Sequence, residues 1–431
     1  MIIDELLTDL QTKFRAIPDG RAINAKLELP NILMGGFAVF SLKDSSLLEY
    51  VNRFKERKKN LKTVYGITQC PSDTAMREIL DDVAPGNLQN IAGEYITLLS
   101  EEGYLSPYEL RGDHLSNHLY IPIDGVQYFE SKNLSCSCCL TKNHKNGTCT
   151  YHHNALTAVI VHPDISEVLV VASEEIKKQD GEKKNDHELC AAGRLVPLIR
   201  KGIKDRKAIL GGDSLFANAP FIRLAQSHDF NFLLRIKEGY QGYPFIQFNK
   251  LVADKRVSIV AGKNKTHTYR HEFANDLILN GDNQDIKVNF VRLTEQNIKT
   301  GEITTFDWIT DIKLSIKNIM DVAKTGRARW KIENETFNTL KNQGYHYEHN
   351  FGHGKKYLAQ NFAQLMLLAF LFDQIQHIID PLFRKALIIC KSKKVLWARV
   401  REIFNLIPVL NMETIYRLIA KLLKLNVELS I

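Results

Sequence analysis

Long apolar runs are missing from this chain. The longest, Leu365 to Phe372, spans eight residues between Gln364 and Asp373, whereas a membrane helix takes about 20. The opening stretch, MIIDELLTDLQ, is acidic and has no basic segment leading into an apolar one, so export is not expected. Cysteine is scarce, at seven in 431 residues. That is too few for a disulfide scaffold of this size, and a reduced cytoplasm is the expected setting. Internal repeats and low-complexity tracts are absent as well. With 25% charged and 44% hydrophobic residues, the composition is that of a globular protein, not a disordered or fibrous one. The length accommodates two or three domains with ample core.

Residues 1–110 read as mostly helical, with Pro30 and Gly35-Gly36 as a break before Phe37. Ser72-Asp73 caps a helix that carries Glu78 in its following turn. From His118 the texture changes to strands. Leu119 to Phe129, Leu156 to Val161 and Val168 to Ala172 are apolar or β-branched runs, with Pro163-Asp164 marking a turn between the last two. A helical segment from about Asn185 to Lys201 precedes a buried strand ending on Asp213. A helix near Phe216–Ser227 and a strand at Phe232 follow. Strands with helices between the later ones predict a mixed α/β sheet. Between about 238 and 312, alternating segments such as His267–Phe273 and Ile286–Leu293, separated by Gly- and Asn-rich turns, predict a β-rich insertion. From Gly326 the chain reads as helical to its end.

Three acids stand out by context. Asp124 lies inside an apolar strand, Asp213 closes another, and Glu333 sits on an amphipathic helix beginning near Arg327. Aspartate is depleted in strands, and burying it costs several kcal/mol unless it is paired or binds metal. Three carboxylates from separated segments can hold two Mg²⁺ (or Mn²⁺) ions about 4 Å apart, the arrangement for in-line attack on a phosphodiester. Taken singly, each acid is more simply read as a turn or cap residue.

Four cysteines and three histidines crowd into residues 136–153. Tetrahedral Zn²⁺ wants four soft or borderline ligands, and Cys136-x2-Cys139 supplies a first pair. His144 and one of His152 or His153 complete a set, with Asn146-Gly147 as the turn of a hairpin over 133–153. The competing reading is a reduced cysteine-rich loop or a reactive thiol group.

Charge is uneven. The chain has 57 Lys+Arg against 49 Asp+Glu, +8 in all, and from Pro381 to Ile431 ten basic residues face three acidic ones, giving +7. A second knot carries Arg57, Lys58 and Lys59. Such patches suit a polyanion such as DNA, since each neutralised phosphate releases a counterion, although solvated helix faces carry the same charge.

Arg329-Trp-Lys-Ile-Glu333, followed by Phe337 and Lys341, resembles the Tyr-x2-Arg-x3-Glu-x6-Lys signature of bacterial DDE insertion-sequence transposases. Ile123-Asp124-Gly125 and Gly212-Asp213-Ser-Leu-Phe216 resemble the first and second acid motifs of that family, in the right order, over about Tyr120 to Phe372. The resemblance implies an RNase H-like core over 111–350, flanked by a helical DNA-binding region at 1–110 and a basic helical region at 351–431. It implies Asp124, Asp213 and Glu333 as the catalytic, Mg²⁺-binding triad, Arg329 as a DNA contact or a support for Glu333, and Lys341 as a phosphate contact. It also favours His153 as the fourth zinc ligand.

Two positions depart from the signature. Gly326 stands where the Tyr is expected, and Lys341 is eight residues past Glu333 instead of seven, about 80° round a regular helix from it. Glu335 is a competing acid, but it lies about 200° from Glu333, and Lys331 would then replace the Arg. Trp308 could stack on a flipped base; a buried core tryptophan is the simpler reading.

The function implied is cleavage of insertion-sequence ends and 3′-hydroxyl transfer into target DNA. The partners implied are terminal inverted repeats, target DNA and a second copy of the chain, in a bacterial, cytoplasmic, nucleoid-associated setting with no membrane. The alternatives are an RNase H-like nuclease that cuts without joining, and a zinc-containing DNA-binding protein with an unused triad.

Overall fold

The computed structural model describes residues 2–22, 24–178 and 188–428. Its centre is a ten-stranded sheet. The strands are β1 (Leu119–Ser131), β2 (Leu140–Asn143), β3 (Cys149–His162), β4 (Ile165–Ile176), β5 (Ala208–Gly212), β6 (Asn231–Ile236), β7 (Ser258–Lys263), β8 (His267–Asn280), β9 (Asn283–Asn297) and β10 (Ile303–Thr310). They lie in the order β2-β3-β1-β5-β6-β10-β9-β8-β7, with β4 also paired to β3. The pairs β1–β5 and β5–β6 are parallel. The remaining pairs are antiparallel.

Strand β5 is buried throughout and β3 and β4 largely so. Their continuous apolar runs are what strands covered on both faces require. The helix Glu188–Ile203 and the helix Leu358–Ile379 both pack on β4. The beginning of the helical segment expected from Asn185 lies outside the described residues.

The β-rich insertion forms as four strands, β7–β10, and β10 pairs antiparallel with β6, so the insertion prolongs the central sheet. Within it the chain also forms the helix Gly242–Ala253, which the alternating pattern did not anticipate. Its Phe245 and Phe248 pack their rings on Phe290 of β9.

The helices at the two ends of the chain pack on each other. Leu29–Ser41 lies against Leu358–Ile379, Leu47–Tyr65 against Lys393–Leu406, and Ile3–Arg15 against Met412–Glu428. Ser46, Ser72, Asp380 and Ser392 cap four of the helices, each satisfying amides that the first turn leaves without partners.

The break expected at Gly35-Gly36 does not occur, because both glycines lie inside the helix Leu29–Ser41. A β-carbon at Gly35 would stand 2.8 Å from Met76 and one at Gly36 2.9 Å from Leu365. Their small size lets neighbouring elements approach, which outweighs the helix cost of glycine.

Leu358–Ile379 is the one helix among the described residues long and apolar enough to cross a membrane by composition, but 78% of its apolar window is buried inside the protein. Two of its polar side chains bond to other elements of the protein. Asn361 donates to the Leu80 and Val83 carbonyls at 2.7 and 2.8 Å, and Asp373 pairs with Lys43 at 2.6 Å.

Candidate active site

Asp124 and Asp213 are brought together by strand pairing. β1 and β5 run parallel with Pro122 opposite Gly211. Asp124 therefore stands two residues past this pair on β1 and Asp213 two residues past it at the exit of β5. Asp124 Oδ1 accepts the Gly125 amide at 2.9 Å, and Asp213 Oδ1 accepts the Leu215 amide at 2.8 Å, which fixes both carboxyl groups.

The third acid arrives on a helical segment. Arg329 donates to Asp124 Oδ2 at 2.9 Å and to Glu333 Oε1 at 2.7 Å, so one guanidinium joins the first and third acids. Glu333 is 52% exposed at its side chain, whereas Asp124 is 20% exposed. Glu335 has no such link. The neighbouring Lys331 is buried and donates to the carbonyls of His162, Pro163 and Ile165 at 2.5–3.1 Å, locking the β3–β4 turn.

A fourth carboxylate, Glu188, lies beside them, at the N-terminal end of its helix and against Gly125, where any β-carbon would collide with it. Burial pushes the Asp124 carboxyl up from 3.8 to about 6; Arg329 opposes this, and the Glu333 and Asp213 charges add to it. Burial, and then the Asp124 and Asp213 charges, push Glu188 up to about 7. Mutually repelling carboxylates of this kind mark a site that a cation would relax. Glu188 has no local mark in the sequence: it follows the polar run Lys183-Lys-Asn-Asp-His187 near the start of the expected helical segment.

Both departures from the Tyr-Arg-Glu-Lys spacing have local causes. A β-carbon on Gly326 would stand 2.7 Å from the Trp308 ring, which itself is buried, so no tyrosine fits there. Trp308 is thus a core residue stacked on Phe306 at 5.9 Å, with Arg235 over both rings. Residues Ile332–Phe337 form a π-helical turn. Such a turn accommodates about one residue more than an α-turn, so eight residues across it cover the rotation that seven would cover elsewhere. Lys341 pairs with Glu348 at 2.7 Å.

The basic residues divide. Lys58 and Lys59 are exposed on the helix Leu47–Tyr65. Arg57 is not available to a phosphate: it is 1% exposed and forks onto Asp44 at 2.9 and 3.1 Å. It falls on the buried stripe Tyr50, Phe54, Leu61 and Val64, a spacing that the sequence already carried. A separate groove of about 890 Å³ is lined by Arg53, Lys393, Lys394 and Arg401 together with Glu49 and Trp397, while Lys43 at its floor is buried and paired with Asp373.

The cysteine–histidine cluster forms with one change of member. Cys136, Cys139, His153 and His353 bring their ligand atoms within 4.8 Å of one another and could hold a metal such as zinc. His144 is not among them; its Nε2 pairs with Thr150 Oγ1 at 3.0 Å, within the hairpin's own turn. His353 lies 200 residues from His153 in sequence, beyond the reach of local spacing; the flanking Gly352 and Gly354 were the only local sign of a special loop.

No protein-family model matches the chain, and no curated protein matches it. Among solved structures, it is similar to a piggyBac transposase in a cryo-EM structure of the synaptic complex with hairpin DNA, at 10% identity. That match covers 99% of this chain and 82% of the other, with a TM-score of 0.42.

Proposed function

We propose that the chain is a DDE transposase that cleaves the ends of an insertion sequence and transfers the 3′-hydroxyls to target DNA. The observation that carries this reading is that Asp213 and Glu333 both flank Asp124, the first through the β1–β5 pairing and the second through Arg329. The order β4-β3-β1-β5-β6, with β1, β5 and β6 mutually parallel and β3 reversed, supports an RNase H-like core. The exposed Lys58 and Lys59 and the basic groove between the terminal helices support DNA as the partner. A second copy of the chain is needed if two ends are held at once.

The donor set fits a hard cation: carboxylate oxygens with no sulfur or imidazole among them, and an aspartate whose proton is held first by burial and then by the Glu333 and Asp213 charges. Asp124, Asp213 and Glu333 would hold Mg²⁺ or Mn²⁺. Bound there, the metal would supply the charge that activates a water or 3′-hydroxyl and stabilises the leaving oxygen. The chain's own part is positioning. The Gly125 and Leu215 amides orient the two aspartates, and Arg329 offsets the repulsion between Asp124 and Glu333 while keeping both within one side chain's reach. Phosphoryl transfer of this kind rests on placement and charge and requires no covalent enzyme intermediate.

Replacing Asp213 with Asn tests the reading. Metal-dependent cutting of end-containing DNA is expected to vanish while binding to the same DNA persists. Equal loss of binding would make Asp213 a structural residue and sink the proposal.

A further inference from the structure

We propose that Cys136, Cys139, His153 and His353 form a closed structural Zn²⁺ site that fastens the β2–β3 hairpin to the loop following the Glu333 helix. The claim stands on geometry. Zinc–sulfur bonds of about 2.3 Å and zinc–nitrogen bonds of about 2.05 Å at tetrahedral angles place two sulfurs about 3.8 Å apart, sulfur and nitrogen about 3.6 Å, and two nitrogens about 3.3 Å. Here the Cys136 and Cys139 Sγ atoms are 3.6 Å apart. His153 Nε2 is 3.4 Å from each sulfur, and His353 Nε2 is 3.1 Å from Cys139 Sγ. The two Nε2 atoms are 3.3 Å apart.

The surroundings aim these atoms inward. His153 Nδ1 is 2.8 Å from Glu175 Oε1, and His353 Nδ1 is 3.1 Å from the Gly354 carbonyl. The carboxylate and the carbonyl accept, so each Nδ1 carries a proton, and the neutral imidazole then presents a lone pair at Nε2. Two lone pairs facing each other beside two sulfurs repel, and a cation at their centre turns that repulsion into coordination. A disulfide does not account for the sulfurs, which stand well beyond the bonded distance of about 2.05 Å. Tyr128 donates to Glu175 at 2.8 Å, holding the carboxylate that orients His153. Four protein ligands leave no open corner for water, which marks a structural and not a catalytic zinc.

The site ties together segments that are 214 residues apart at Cys139 and His353. Stacking continues the attachment: Phe129 of β1 lies on the His353 ring at 4.4 Å, and Tyr128 lies on Tyr347 at 5.6 Å. The fastened loop is therefore held to the strand that carries Asp124.

The test is metal analysis of the purified full-length chain, with variants. Elemental mass spectrometry should find about one zinc per chain, lost in His353→Ala and Cys139→Ser and retained in His144→Ala. Glu175→Gln should weaken zinc affinity about 10–100-fold. Should the alanine variants fail to fold, His353→Cys supplies a fourth soft ligand: it should keep the metal and, after cobalt substitution, strengthen the sulfur-to-cobalt charge-transfer band of a tetrahedral spectrum. Zinc-free protein with no tetrahedral cobalt spectrum would overturn the proposal, as would zinc lost in His144→Ala and kept in His353→Ala. Neither result depends on whether the acids cut DNA.

Discussion

Replacing Asp124 with Asn should stabilise the metal-free protein at neutral pH, and the gain should vanish in acid. Burial holds the folded carboxyl near 6, against 3.8 for the free group. Between those values the folded state keeps a proton that the unfolded chain has released. A carboxylate raised in this way makes stability fall as pH rises from about 4 to about 6. A shift of about two units at about 1.4 kcal/mol each amounts to about 3 kcal/mol. Asn has no such proton to lose, and its oxygen still accepts from Arg329, so most of that cost disappears. The assay is urea unfolding in EDTA at about pH 3.5 and about pH 7.5 for both proteins. The variant should match the wild type at the lower pH and exceed it by about 1–3 kcal/mol at the higher. Adding Mg²⁺ at pH 7.5 should stabilise the wild type alone. A variant weaker than the wild type at both pH values would refute this reasoning and make Asp124 the anchor of a structural ion pair with Arg329.

Glu188, held near 7 by burial and its neighbours' charge, should behave in the same direction: Glu188→Gln should raise metal-free stability at pH 8 and leave it unchanged near pH 4, by the same unfolding assay. Arg57→Met should cost about 3–5 kcal/mol in unfolding free energy because it strands a buried Asp44 carboxylate. A loss of DNA binding at unchanged stability would instead restore Arg57 as a phosphate contact. Gly326→Tyr should lower the thermal midpoint by overpacking Trp308, at about 1–3 kcal/mol or more, and Trp308→Ala should recover part of that loss in the double variant.

The legible parts of the fold were those where local pattern and burial agree. The β-branched runs of β3 and β4, the Ser72 cap and the acid at the end of β5 each depend on neighbours in sequence, and each formed where expected. The failures share a different cause. Gly35 and Gly36 punctuate a chain read locally, yet here they sit where other elements press close, a fact visible only after packing. The helix Gly242–Ala253 carries Gly242, Pro244 and three aromatics in its first seven residues, and Phe245 and Phe248 pack it on Phe290. His353 joins the cysteines through the closure of the whole molecule, so the hairpin alone suggested His144, the nearest histidine in the chain. Arg57 was the avoidable miss, since its spacing from Tyr50, Phe54 and Leu61 placed it on the buried face.

The most direct test of the central claim uses the full-length protein and labelled DNA spanning the flanks of its own gene, with Mg²⁺ or Mn²⁺ and with EDTA, beside Asp124→Ala. The account predicts cuts at inverted-repeat termini that require metal and are absent in the variant. DNA that is bound but left uncut with metal present, or cut equally by Asp124→Ala, would contradict it.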